Sequence, residues 1–103
     1  MRIIWSLLAY NSYMEIRATI QDRFGYKAEQ DYICAVDETV RQIAQFPGSG
    51  RQVLELAADG SVRSISVRKL TKIIYFVEND TLCIADVWDT RQDPANLTSR
   101  FEK

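Results

Sequence analysis

Apolar residues follow a helical period in the first half of the chain and a strand period in the second. Ala9, Tyr13, Ile16, Ile20 and Phe24 recur at spacings of three and four, which places them on one stripe of a helix. Ser6 precedes that run and can cap it by accepting from a free backbone N–H. Gly25 ends it by taking a left-handed conformation at low cost. The short β-branched run Arg2–Trp5 in front reads as a first strand. A second helix spans Lys27–Phe46, with Ala28, Tyr32, Ala35, Val36, Thr39, Ile43 and Phe46 along one side, and Ile33 and Val40 widening it. Asp31, Asp37, Glu38, Arg41 and Gln42 fall on the water side. Pro47 closes the helix and Gly48-Ser49-Gly50 turns the chain. A connection as short as Gly25-Tyr26 predicts an antiparallel helix hairpin.

After Gly50 the period changes to two. Arg51–Ser61 is the least legible stretch: Val53-Leu54-Glu55-Leu56 is a short strand or an ordered loop, and Asp59-Gly60 is a turn. Val62–Arg68 alternates, and Lys69-Leu70-Thr71 leads into two β-branched and aromatic runs, Lys72–Glu78 and Thr81–Trp88. Asn79-Asp80 between them tolerates positive φ, so these runs form a tight hairpin. The second run delivers Trp88-Asp89-Thr90-Arg91-Gln92-Asp93-Pro94, where Pro94 forbids further pairing. The predicted fold is α+β, β-α-α-β-β-β, with a helix hairpin on one face of a small, mostly antiparallel sheet.

Strict alternation puts Ile65, Val67, Ile73, Tyr75, Val77, Cys83, Ala85 and Val87 under the helices. It puts Ser64, Ser66, Lys72, Ile74, Phe76, Leu82, Ile84, Asp86 and Trp88 on the far face. Ile74, Phe76, Leu82, Ile84 and Trp88 make that far face too apolar to be bare. Either a partner binds there, or residues after Pro94 fold back over it with Leu97 and Phe101 as anchors.

The chain of 103 residues is one domain by length, with 47% apolar and 26% charged residues, ordinary for a globular protein. A formal net charge of −1 gives no help to a protein that grips nucleic-acid backbone. Charge is uneven, however: Arg51, Arg63, Arg68, Lys69 and Lys72 face only Glu55 and Asp59 in their stretch. That is either a local basic patch or a set of solvated strand-end charges. There is no histidine, hence no imidazole base and no histidine-based metal site. The two cysteines, Cys34 and Cys83, have neither disulfide nor metal spacing and read as reduced thiols. The apolar start is broken by Ser6 and lacks a cleavage site, and no stretch has membrane-spanning length. The expectation is a cytoplasmic protein without metal or cofactor.

One pattern carries a family resemblance. Ile3-Ile4-Trp5-Ser6 before a first helix, two helices, Phe46-Pro47-x-x-Gly50, a tyrosine-containing strand and the closing Val87-Trp88-Asp89-x-Arg91-Gln92-Asp93-Pro94 resemble the RelE/ParE-type toxins of bacterial type II toxin–antitoxin pairs. The resemblance implies a cognate antitoxin as partner, and assembly as a homodimer or a toxin–antitoxin hetero-oligomer. It also implies one of two activities. In the RNA-cleaving members, acting on mRNA at the ribosome or free, two lysines match Ser64 and Ser66 here, one arginine matches Lys72, and a later arginine matches Arg91. No tyrosine follows Pro94; Phe101 is the aromatic residue there. The DNA gyrase-inhibiting members resemble the chain better, and their His-x-Arg-Arg becomes Asp89-Thr90-Arg91-Gln92.

The candidate catalytic residues are therefore Arg91 and Lys72. Arg63, Arg68, Lys69 and Asp89 are the candidates for target binding, and Ile74, Phe76, Leu82, Ile84 and Trp88 for antitoxin binding. Arg91 otherwise forms a salt bridge to Asp89 or Asp93, and Trp88 either packs the C-terminal tail or offers a binding surface. A toxin that binds a macromolecular target, an endoribonuclease, and a degenerate toxin that only binds its antitoxin are the three functions in play.

Overall fold

The computed structural model describes residues 1–90 of the 103. Arg91 and the expected fold-back of Leu97 and Phe101 lie outside the described residues. Strand β1 (Arg2–Trp5) leads into helices α1 (Leu7–Phe24) and α2 (Tyr26–Gln45). A single 3-10 turn, Pro47–Ser49, precedes β2 (Arg51–Gln52), β3 (Arg63–Val67), β4 (Thr71–Glu78) and β5 (Thr81–Asp89). The five strands form one sheet in the order β1-β5-β4-β3-β2. β1 runs parallel to β5 and the other pairs are antiparallel.

Local signals explain the boundaries. The Ser6 hydroxyl accepts from Ala9 N (2.9 Å) and donates to the Ala85 carbonyl (2.8 Å), so one side chain caps α1 and ties it to β5. Gly25 separates the helices at φ 94° and ψ 175°. That is a positive-φ conformation with extended ψ, which is in effect reserved for glycine, rather than the left-handed helical one expected. Asn79 and Asp80 take φ of 51° and 58° between Glu78 and Thr81, the two-residue hairpin that the sequence predicts.

The core lies between the helix hairpin and one sheet face. It joins Ala9, Tyr32, Ala35, Val36, Val40 and Ile43 to Val67, Ile73, Tyr75, Leu82, Ile84 and Val87. Trp5, Tyr13 and Tyr32 stack in a line across it, with ring centroids 5.3 and 6.1 Å apart. Arg17 ties the helices together: its Nε is 3.1 Å from Glu29 Oε2, and its guanidinium lies 5.6 Å from the Tyr13 ring centre. Gln21 Nε2 donates to the other Glu29 oxygen at 2.9 Å. Phe24 and Phe46, expected in the core at the two helix ends, are exposed instead. The stripes run past the edge of the sheet they cover.

One strand departs from the expected alternation. Ile74 pairs with Asp86 but Tyr75 pairs with Ile84, so Ala85 is an extra residue in β5. This β-bulge reverses the facing of everything before it. Leu82 and Ile84 are therefore fully buried beneath the helices, and Cys83, paired with Phe76, lies on the far face. Asp86, Val87 and Trp88, after the bulge, face as predicted. The far face is not bare either: Ile74, Asp86 and Trp88 on it are 1%, 0% and 3% exposed.

Candidate functional site

The β3–β4 connection is the most strained part of the described chain. Val67 pairs with Thr71, and Arg68 and Lys69 between them take φ of 50° and 60°. Left-handed backbone costs a residue with a Cβ about 1–2 kcal/mol, so something must hold the turn. Thr90 does so from the end of β5. Its N–H donates to the Leu70 carbonyl (3.1 Å), and its hydroxyl lies 3.0 Å from Leu70 O and 3.2 Å from Lys69 O. Leu70 N closes the turn onto Val67 O at 2.9 Å. The result is a rigid tip that presents two adjacent cations, both exposed and without an ion pair among the described residues.

Beside the tip is a cavity of about 510 Å³, between the open end of the helix hairpin and the β3–β4 turn. Its apolar wall comes from Ile16, Ile20, Phe24 and Leu70 and its rim from Glu15, Arg23, Asp31, Arg68 and Asp89. Exposed Phe24 stands at its mouth, which gives the misplaced end of the α1 stripe a location. Tyr32 and Thr71 also line it, joined by a buried hydroxyl–hydroxyl bond of 2.9 Å. Burial pushes the Tyr32 phenol up to about 12, so it is a neutral group near pH 7. Tyr13 is likewise raised by burial. Neither phenol is poised to act as a base at neutral pH. Among the described residues no group of histidine, cysteine or carboxylate side chains is arranged to hold a metal ion.

The residues singled out from sequence separate into several places. Arg68 and Asp89 meet at the cavity rim, with Lys69 next to Arg68 on the tip. Arg63 does not join them. Its guanidinium donates to the Gly50 carbonyl at 2.8 Å and approaches Gly48 O at 3.5 Å, so its fork is spent on bracing the chain after α2. Lys72 is half-buried on the far face, opposite Ser66 and Trp88. Ser64 and Ser66 lie on that same face of β3. Of the expected antitoxin-binding set, Leu82 and Ile84 are core residues, Ile74 and Trp88 are buried, and Phe76 is half-buried beside β1.

Two features had no signal in the sequence. The Thr90 clamp joins residues about twenty positions apart. Tyr75 Oη accepts from Gly50 N (2.9 Å) and donates to Pro47 O (2.8 Å), which fixes residues 47–50 to the sheet. A Cβ on Gly50 would collide with that hydroxyl and lie 2.9 Å from Ser64 O, so glycine is required there by close approach.

A helix hairpin over an open five-stranded sheet, with a basic turn at one end and no metal-holding cluster among the described residues, defines a small α+β binding protein. The family model for the ParE toxin of the type II toxin-antitoxin system parDE matches residues 3–94. The chain therefore belongs to the ParE toxin family. Among solved structures it is similar to a chain of the chromosomal ParDE toxin–antitoxin system from P. aeruginosa. The TM-score is 0.72 at 16% identity, with 86% of this chain and 95% of that chain covered. At that identity the likeness establishes the shared fold. No curated protein sequence matches the chain.

Proposed function

We propose that this ParE-family chain inhibits growth by binding a macromolecular target in the cytoplasm, DNA gyrase, and that a cognate antitoxin neutralises it. The observation that carries the reading is the Arg68–Lys69 tip. Two unpaired cations are held in left-handed backbone by Thr90 beside a half-apolar cavity. A chain maintains such strain where the resulting geometry is used. Binding is favoured over RNA cleavage because serines, not lysines, stand at 64 and 66. The proposed contact set is Arg68, Lys69 and Asp89, with Arg91 assigned to it on sequence grounds alone.

The test is induced expression with separate readouts of plasmid supercoiling and mRNA decay. Replacing Arg68 and Lys69 together with asparagine removes both charges while keeping residues that tolerate positive φ. The double variant is expected to relieve growth inhibition at least tenfold by viable count, with melting unchanged within about 0.5 kcal/mol. Arg91→Ala is expected to act in the same direction. Rapid mRNA loss with intact supercoiling would overturn the gyrase reading. Full toxicity of the double variant would remove the tip from the contact set.

A further inference from the structure

The two edges of the sheet are finished differently. At one edge β2 is two residues long, Arg51 and Gln52, both exposed and polar. Short, charged edges of that kind discourage pairing with another chain. At the other edge β1 is apolar. It pairs only with β5 among the described residues, and Ile3 and Ile4 are 41% and 46% exposed. Each side of this edge carries a groove. On the far face about 280 Å³ is lined by Ile4, Leu8, Phe76 and Cys83; on the helix face about 400 Å³ is lined by Ile3, Trp5 and residues of α2 such as Ile33 and Cys34. An unpaired backbone between two apolar grooves is complementary to one shape. That shape is an extended segment whose successive side chains drop alternately to either side.

The geometry points to β1 as the docking edge for an extended segment of the antitoxin, added to the sheet as a sixth strand; this rests on the reading of the chain as one half of a toxin–antitoxin pair. The segment has large apolar residues at adjacent positions, one for each groove. It also carries an acidic residue opposite Arg2, which is exposed and has no side-chain partner among the described residues. A second copy of this chain fits less well. Pairing β1 with itself joins only four residues per copy, far below the roughly 20–30 residues a side of a stable interface. A partner segment that orders on binding can continue past the edge and gather area elsewhere.

The experiment uses the full chain, alone and mixed with the protein encoded by the reading frame adjacent to its own. Hydrogen exchange is read at residues 2–5, and binding is measured for the wild type and Ile4→Lys. The expected result is at least tenfold slower exchange at residues 2–5 in the complex, and at least tenfold weaker binding by Ile4→Lys without a change in melting. Three results would overturn the proposal. If no complex forms with the wild type, the partner reading fails and takes the docking edge with it. If a complex forms without protection at residues 2–5, the partner stands and the edge is wrong. If those residues are protected in the isolated chain because it dimerises, the occupant is a second copy.

Discussion

Removing a single oxygen from Tyr75 tests whether the chain after α2 is held by the sheet. Tyr75 is 1% exposed and its ring belongs to the core, so Tyr75→Phe keeps the packing and deletes only the hydroxyl. That hydroxyl serves Gly50 N at 2.9 Å and Pro47 O at 2.8 Å. Two hydrogen bonds of ordinary net worth contribute about 1 kcal/mol each, and a buried N–H left without a partner costs about 1–3 kcal/mol. Counting the bonds and part of that penalty gives a loss of about 2–4 kcal/mol. At roughly 4 °C per kcal/mol for a chain of this length, Tm should fall by about 8–16 °C. Urea unfolding should show a lower midpoint at an unchanged slope, because the surface exposed on unfolding is the same. A fall in Tm under about 4 °C would refute the reasoning, since the loop would then be held by something other than Tyr75.

Two further predictions concern single contacts. Tyr32→Phe strands Thr71 Oγ1, which is 1% exposed, and should cost about 1–3 kcal/mol, while adding Thr71→Val should recover most of it. The same variant tests the alkaline limit. Because folding raises the Tyr32 phenol from 10.0 to about 12, its contribution is complete below pH 10 and is lost as pH rises through 12, so Tyr32→Phe should flatten the fall in stability across that window. Asp80→Gly relieves a side chain held at φ 58° in the β4–β5 turn and should raise stability by about 0.5–1 kcal/mol, read as a higher urea midpoint.

The helices, the hairpin turn and the strand order in sequence were legible because each has a local cause: Ser6 and Gly25 at the ends of α1, apolar spacing within the helices, Asn79-Asp80 between β4 and β5. The facing of Leu82, Cys83 and Ile84 was not legible. Period-two reading assumes no extra residue, and nothing about Ala85 announces the bulge. Its cause is tertiary: the Ala85 carbonyl, displaced from the ladder, is taken by the Ser6 hydroxyl 79 positions away. Arg63 was misread for a related reason. A forked cation in a basic stretch suits a target, but here it is satisfied by the Gly48 and Gly50 carbonyls. The candidate site was legible in composition at Arg68 and Lys69. It was not legible in geometry, because the strain and its Thr90 clamp exist only once β3, β4 and β5 are aligned.

The bulge also determines how the two proposed surfaces relate. β1 pairs with the first half of β5, from Thr81 to Ile84, and the chain then leaves the sheet at Ser6 beside the bulge. The basic tip sits at the other end of β5, where Asp89 pairs with Thr71. Five residues separate Ile84 from Asp89 along the strand, roughly 16 Å at the usual rise. A segment that only completed the sheet at β1 would leave Arg68 and Lys69 uncovered. A partner that neutralises by blocking the tip must therefore run on past Trp5, across the start of α1 or over the far face, for at least about five extended residues. The docking edge would then supply affinity and register, and the continuation would supply inhibition. Binding without neutralisation is thus the expected behaviour of an antitoxin shortened to its strand.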